Sequence, residues 1–356
     1  MDIRKAFTPA AIAANWTEVY SNQIPYLGTS LFPSRKKAGL DLAWIKGAKG
    51  LPVSLMPSAF DAKATFRDRI GFEILETEMA FFREGFKIKE KDRQEMLRIQ
   101  ESNDPYAADI LNRVFDDANE LIAGANVVPE RMIMQLLFPV DGNVGIAIKA
   151  NGVDYTYDYD PGDTWKTSNY TALSGTSLWT ASTTADPIQD FKKVKDAIRS
   201  ATGTELTTAI MNTYTFNLLA AADSIKNRYL TVNNVNAPYM TDTEVRGVIQ
   251  STNGLSIAIY DKMYRDESKT SHAFVPDGYV CLIPTGTLGS TWYGTTPEEA
   301  DLRSGSNAEV SIVNTGVAIT RIVDPHPVNV NLFASEIVLP SFERMDEVAV
   351  LKVIGD

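Results

Sequence analysis

Four aspartates in one short stretch are the residues best suited to bind a metal ion: Asp154, Asp158, Asp160 and Asp163. Alternating acids on a strand could offer carboxylate oxygens to Ca²⁺, the ligand type that this ion prefers. The spacing lacks the central glycine and the terminal glutamate of an EF-hand loop. We therefore favour a solvated strand edge over a calcium site.

Residues that commonly carry out catalysis are few. The chain has two histidines, His272 and His326, and a single cysteine, Cys281, which are too few for a structural zinc site. His272 lies in a polar loop and His326 lies between two prolines, so we assign neither a catalytic role. The sequence contains no P-loop, no dinucleotide-binding glycine pattern and no nucleophile elbow. It predicts no cofactor, no metal and no enzymatic activity.

Three aromatic residues offer an alternative. Trp165, Tyr170 and Trp179 could form a stacking platform for a carbohydrate. Aromatic residues in such a Thr-, Ser- and Gly-rich stretch more often anchor a loop to a core. A carbohydrate-binding domain is therefore a lesser hypothesis.

Basic residues concentrate near the N-terminus. Residues 1–70 contain ten Lys or Arg against five Asp or Glu, a net charge of +5, whereas the whole chain carries −11 and the remainder therefore −16. Opposite charges favour docking of this region on another copy of the chain. Phosphate binding is less favoured, because the basic residues are scattered without interleaved aromatics. We predict inter-subunit contacts by Lys46, Lys49, Lys63, Arg67, Arg69, Arg35, Lys36 and Lys37.

Composition is that of a globular protein of 356 residues, with 44% hydrophobic and 22% charged residues. No apolar run approaches the length of about 18 residues that a membrane span needs. A lone cysteine cannot form an internal disulfide, which favours synthesis in a reducing cytoplasm.

The N-terminal half predicts interaction elements followed by a long helix. Residues 1–39 read as an arm with one helix at 9–20, and residues 40–88 as a long hairpin with a basic tip. A helix is predicted from an Asp104 cap and Pro105 to a stop at Gly124, and a shorter one at 129–137. A hairpin with an Asn151-Gly152 turn follows.

Alternating helices and strands predict an α/β domain over residues 186–300. The flanking regions, 89–185 and 301–356, predict two parts of a discontinuous α+β domain. We expect the late strands, separated by Pro340, to return to the sheet begun at residues 144–159.

This order of elements resembles the tailed-bacteriophage major capsid fold: N-arm, E-loop, spine helix, P-domain and inserted α/β A-domain. More closely, the chain resembles the lambda-type major capsid protein E family. The similarity is dispersed over the whole chain and is carried by Phe7–Ala10, Tyr20–Pro25, Lys192–Lys195 and, most strongly, Ile337–Glu343.

The resemblance implies a structural subunit that forms pentamers and hexamers of an icosahedral head around double-stranded DNA, without sequence-specific binding and without a membrane. It implies assembly in the bacterial cytoplasm, with a separate scaffolding protein, a decoration protein and a portal as partners. Many relatives carry a long charged segment before the arm, whereas this sequence begins almost directly with the arm. A tail or baseplate subunit is the alternative.

Overall fold

The computed structural model describes residues 8–20, 26–46, 73–91, 94, 106–150, 152–233, 240–302, 308–326 and 329–355. The chain divides into two compact units. The first unit comprises Met1–Ala43, Glu76–Ile133 and Gly289–Ser341, and the second Trp44–Leu75, Met134–Leu288 and Phe342–Asp356.

The helices are α1 (Pro9–Tyr20), α2 (Gly28–Leu31), α3 (Tyr106–Leu137), α4 (Thr164–Asn169), α5 (Pro187–Thr202), α6 (Thr213–Ala221), α7 (Asp223–Asn233) and α8 (Asp242–Asn253). The first strands are β1 (Ser34–Lys36), β2 (Asp41–Lys46), β3 (Glu73–Glu78), β4 (Ala80–Ile88), β5 (Gly145–Ala150), β6 (Val153–Asp158), β7 (Tyr170–Ala172), β8 (Leu206–Met211) and β9 (Ser256–Ile259). The remaining strands are β10 (Met263–Arg265), β11 (Ser271–Ala273), β12 (Tyr279–Pro284), β13 (Ser290–Tyr293), β14 (Ala308–Val313), β15 (Val317–Val323), β16 (Val330–Ser341) and β17 (Ala349–Lys352). Short 3-10 turns lie at Val140–Gly142, Gly175–Ser177 and Met345–Glu347, and a π-helical turn at Glu298–Leu302.

The first unit is built on a six-stranded sheet ordered β1-β13-β16-β15-β14, with β4 on the other edge of β16. Strand β16 pairs with three other strands of this sheet. It pairs along one edge with β4 and along the other with β15 and then β13. The two late strands are separate, as predicted, but Pro340 does not lie between them: β16 extends through Pro340, which lies opposite Thr291 near the strand's end.

Helix α3 is longer than predicted. Its 32 residues span about 48 Å at 1.5 Å per residue. It runs through Gly124, so the predicted stop there is wrong, and the two predicted helices are one. Gly124 keeps a helical backbone, since the continuation buries Met132 and Ile133 almost completely. Pro129 is tolerated inside the helix, although it removes one backbone hydrogen bond. The predicted cap at Asp104 and Pro105 lies outside the described residues.

Helix α1, predicted over residues 9–20, is confirmed with those bounds. Ile12 and Trp16 are buried against Ala118 and Ile122 of α3 and against apolar residues of β14, β15 and β16. This part of the arm therefore packs on its own subunit.

The second unit contains a five-stranded sheet ordered β7-β17-β12-β8-β9. Helices α5, α6 and α8 begin at the side-chain caps Asp186, Asn212 and Thr241. Thr241 and Glu244 form a capping box, and Gly254 ends α8 with a left-handed backbone. All six residues of β12 are buried, as expected for the central strand.

Strands β5 and β6 form the predicted hairpin but pair with no other described strand. Gln135 donates to and accepts from the backbone of Ala147, which covers the open edge of β5. The expected return of the late strands to this hairpin is wrong. Strands β14 to β16 join β4 and β13, whereas β17 joins β7 and β12. Partners so distant in sequence leave no local signal.

Candidate assembly elements

Only part of the predicted hairpin of residues 40–88 pairs as a hairpin, because Ala80–Ile88 forms β4 and pairs with β16 instead. Strands β2 and β3 pair as a two-stranded sheet, and the amide of Met79 donates to the carbonyl of Leu40 at 2.9 Å. Leu42 is buried, and the ring of Trp44 lies 5.2 Å from that of Tyr159. These contacts fix where the hairpin leaves the body of the protein.

The predicted basic residues of the hairpin lie mostly beyond this base. The backbone of Lys46 ends β2. Four other predicted contact residues lie outside the described residues: Lys49, Lys63, Arg67 and Arg69.

Three further predicted contact residues lie at β1 and already contact their own subunit. The Arg35 guanidinium lies 5.6 Å from the centre of the Trp292 ring. Lys36 forms an ion pair of 2.6 Å with Glu299, and the Lys37 ammonium donates to a backbone carbonyl. All three remain exposed, so a second contact with a neighbouring copy stays a prediction.

Exposed acids on the first unit offer a counterpart to these charges. Asp116, Asp117 and Glu120 lie on the exposed side of α3, whereas Ala118 and Ile122 face the core. In this part of the helix an apolar face is therefore separated from an acidic one. This acidic face of α3, defined as Asp116, Asp117 and Glu120, could attract a basic segment.

The aspartate cluster proves to be structural. Asp160 is buried and accepts hydrogen bonds from the backbone of Trp165 and Lys166 at the start of α4. Asp154 forms a 2.8 Å ion pair with Lys149, which is the main cause of its lowered pKa. No group of three or more possible metal ligands occurs among the described residues. Asp154 and Asp158 are exposed on β6, as expected for a solvated strand edge, whereas Asp160 and Asp163 lie beyond that strand and Asp160 is buried.

The proposed aromatic platform is not available on the surface. Trp165 and Trp179 are only 2% and 0% exposed. Their indole nitrogens donate to the carbonyl of Met345 at 2.9 Å and to Asp190 at 3.1 Å. These tryptophans anchor loops to the core, which removes the observation behind the carbohydrate hypothesis.

The remaining reactive side chains have structural surroundings. His272 is paired with Asp266 at 2.8 Å in the β10–β11 hairpin. Cys281 lies buried on β12, and burial raises the pKa of its thiol. A raised thiol pKa lowers the fraction of reactive thiolate.

Sequence reasoning missed two buried glutamates of the first unit. Glu298 is paired with Arg83 and accepts a hydrogen bond from Ser335. Glu336 is 1% exposed and lies in the mostly apolar run from Ala334 to Leu339, whose other polar residue is Ser335. A charged residue inside such a run was the signal that could have identified it.

Among the described residues, no helix is long and apolar enough to cross a membrane.

Solved structures share this architecture over nearly the whole chain. A structure assigned to the capsid protein of a prophage of Escherichia coli CFT073 aligns with a TM-score of 0.59 at 13% identity, covering 98% of this chain and 99% of that one. A phage-related protein from Bordetella bronchiseptica gives 0.56 at 12% identity, covering 97% and 96%. The capsid of cyanophage A-1(L) gives 0.52 at 13% identity, covering 93% of each chain. No curated protein matches the sequence.

These likenesses define the class of fold, which is that of phage capsid proteins. The family model of phage major capsid protein E matches residues 8–353. The chain belongs to this family and is a structural component of the phage capsid, a shell built from many copies of itself.

Proposed function

We propose that this protein forms the icosahedral head of a tailed phage as pentamers and hexamers that enclose double-stranded DNA. The family match over residues 8–353 is the observation that carries the proposal. The paired base of a long hairpin and a 32-residue helix supply the elements that such a shell shares between neighbours. Burying an apolar side chain across a neighbour contributes about 1.5–3 kcal/mol.

In this proposal the segments act as inferred from the sequence: 1–39 as N-arm, 40–88 as E-loop, and 186–300 as A-domain. Residues 89–185 and 301–356 act as spine helix and P-domain. The pairings of β17 with β12 and of β13 with β16 both cross the proposed boundary between residues 300 and 301. The role is structural rather than enzymatic.

Assembly in the bacterial cytoplasm would involve a separate scaffolding protein, a decoration protein and a portal. The chain carries a net charge of −11. A body of this charge does not bind the packaged polyanion strongly, so DNA contacts would be few and not sequence-specific.

Electron microscopy of the purified protein, expressed alone and with candidate scaffolding proteins, tests the proposal. We expect rings of five and six subunits and closed shells. Tubes would indicate a tail subunit instead. A strictly monomeric protein by light scattering under every condition would contradict the proposal.

We further propose that the basic tip around Lys46 and Lys49 docks on the acidic face of α3 in a neighbouring copy. Charge complementarity supports this pairing, since Asp116, Asp117 and Glu120 are exposed. Replacing both lysines by glutamate should then weaken assembly without changing the circular-dichroism spectrum or the melting of the unassembled subunit.

A matched control and a rescue make this test specific. Lys192 and Lys193 are two exposed lysines of the described chain, and reversing both changes the net charge by the same amount. We expect that control to assemble normally. Adding Asp116→Lys and Asp117→Lys to the tip variant should restore assembly. Unchanged assembly of the tip variant at low salt would refute the docking.

A further inference from the structure

Glu336 is a buried acid that the assembly function does not use. Its side chain is 1% exposed, and both carboxyl oxygens lack a hydrogen-bond partner among the described residues. Native proteins seldom bury a polar group without a partner, so such a group calls for an explanation.

The residue lies at a seam in the six-stranded sheet. On one edge of β16, pairing with β15 reaches Ser335 and pairing with β13 begins at Val338. Glu336 therefore stands where two strands meet end to end. On the opposite edge of β16, Glu336 pairs with Phe82 of β4. We call this junction of β13, β15 and β16 the seam.

Close packing around Tyr293 shapes the seam. A Cβ added to Gly316 would lie 2.3 Å from the ring of Tyr293, so only a glycine fits there. Tyr293 faces Val338, two residues from Glu336, and is itself 8% exposed. Alternation along a strand places Glu336, Val338 and Ala334 on one face. The carboxyl group therefore lies among apolar and aromatic side chains.

Burial is the cause that raises the pKa of Glu336 well above its ordinary range. The pKa of Tyr293 is also raised, first by burial and then by Glu336, while a hydrogen bond with Ser34 lowers it. These two groups are thus close enough to interact electrostatically.

Charged groups on the surrounding elements are engaged elsewhere or exposed. On α3, Glu130 accepts a hydrogen bond from the amide of Gly28 at 2.9 Å. On β15, Arg321 donates to Glu309 at 3.3 Å. On β4, Arg83 pairs with Glu298 beside Ser335, on the opposite face of β16, and Glu84 is exposed.

A cavity lies beside the same tyrosine. It has a volume of about 300 Å³ and is lined by Tyr293, Ser34, Thr291, Asn126 and Glu130, among others. A cavity of this size with several polar groups has room for water. Tyr293 thus contributes to the cavity wall and also interacts with Glu336.

We propose that Glu336 is a proton-controlled latch: the seam is closed while its carboxyl group holds a proton, and loss of that proton opens the seam so that water from the cavity side reaches the carboxylate. The structure described is the closed state. The latch belongs to the single subunit, so it goes beyond the proposed shell function and does not depend on assembly.

The direction of the pH effect follows from the raised pKa. Below the ordinary glutamate pKa of about 4.3, the closed and open states both hold the proton and the stabilisation is fully present. As pH rises above that value, the open state releases the proton while the closed state keeps it. The equilibrium constant for opening therefore rises by up to about tenfold per pH unit, until the pH passes the pKa of the closed state.

Hydrogen exchange of the unassembled subunit, measured by mass spectrometry between pH 5 and pH 8, tests the latch. After correction for the intrinsic exchange rate, protection of peptides covering β13 and β16 should fall with pH in the natural protein. In Glu336→Gln, which mimics the protonated state, protection should stay constant. The exposed Glu84→Gln on β4 is the matched control and should behave like the natural protein.

Infrared spectroscopy of the natural protein provides a second measurement, independent of how well any variant folds. A protonated-carboxyl band should persist at neutral pH, because the closed state keeps its proton there although opening has already become more favourable. Equal pH dependence of protection in the natural protein and Glu336→Gln, or no protonated-carboxyl band at neutral pH, would overturn the proposal. Either result leaves shell formation untouched.

Discussion

A single buried amide, that of Asn169, ties α4 to the turn before the last strand. Its side-chain nitrogen donates to the carbonyls of Asp346 at 2.9 Å and Val348 at 2.8 Å, and the residue is 6% exposed. One side chain thereby satisfies two backbone acceptors that lie nearly 180 residues away in sequence.

Asn169→Ala should therefore lower the free energy of unfolding by about 1–3 kcal/mol, since it leaves buried carbonyls without a donor. Urea denaturation of the unassembled subunit measures this. The neighbouring exposed Thr171→Ala is the control and should change stability by less than about 0.5 kcal/mol. Equal, small effects of both substitutions would show that these hydrogen bonds do not stabilise the fold.

At the scale of elements, α3 continues through Gly124, although the sequence predicted that the helix ends there. Gly124 is helical and exposed, and a Cβ there would meet no atom within 4 Å. Gly124→Ala should stabilise the protein by about 0.5–1 kcal/mol, because alanine loses less backbone entropy in a helix. Gly254 is the matched control: its φ is +67° at the end of α8, so Gly254→Ala should destabilise by about 1–2 kcal/mol.

Urea denaturation of both variants compares them directly. If Gly124→Ala destabilised the protein as strongly as Gly254→Ala, the helix would end at Gly124 in solution, and the continuous α3 would be wrong.

Local chemistry explains which elements the sequence predicted well. Asp186, Thr241 and Gly254 mark helix ends through hydrogen bonds to residues three or four positions away, so the sequence alone contains the signal. The family resemblance likewise led to the correct fold class. Gly124 and Gly254 are both glycines, but Gly124 lacks the left-handed backbone of Gly254. Tertiary packing decides between these backbone conformations, so the residue type alone does not reveal which one occurs.

Long-range pairing explains what the sequence could not show. Strand β17 pairs with β12 and β7, whose paired residues lie roughly 70 and 180 positions earlier in the sequence, and burial in a shared core rather than local chemistry decides this pairing. The candidate contact residues show the same limit. A basic residue such as Lys36 is recognisable from the sequence, but its ion pair with Glu299 is not.

At the scale of the whole molecule, subunits of a shell can be joined by covalent or by non-covalent contacts. Some capsid families link a loop lysine to an asparagine of the next subunit, with a nearby glutamate as base. Here the possible partners are Asn307 and Asn314, near Glu309. The amide of Asn314 already donates to Asn126 at 3.0 Å, and Glu309 accepts from Arg321 at 3.3 Å. These contacts engage Asn314 and Glu309, whereas Asn307 lies outside the described residues.

The lysine also argues against cross-linking. A nucleophilic amine must be neutral, which requires burial to lower its pKa from about 10.4. Lys46 precedes Gly47 and Lys49 precedes Gly50, a glycine-rich sequence typical of a solvated tip. We therefore predict a shell held by non-covalent contacts. A denaturing gel of boiled, reduced particles should show one band near 39.2 kDa. Particles treated with a chemical cross-linker serve as the positive control, since they give a ladder of covalent multimers. A ladder in untreated particles that disappears when Lys46, Lys49 and Lys63 are replaced by arginine would establish covalent linkage instead.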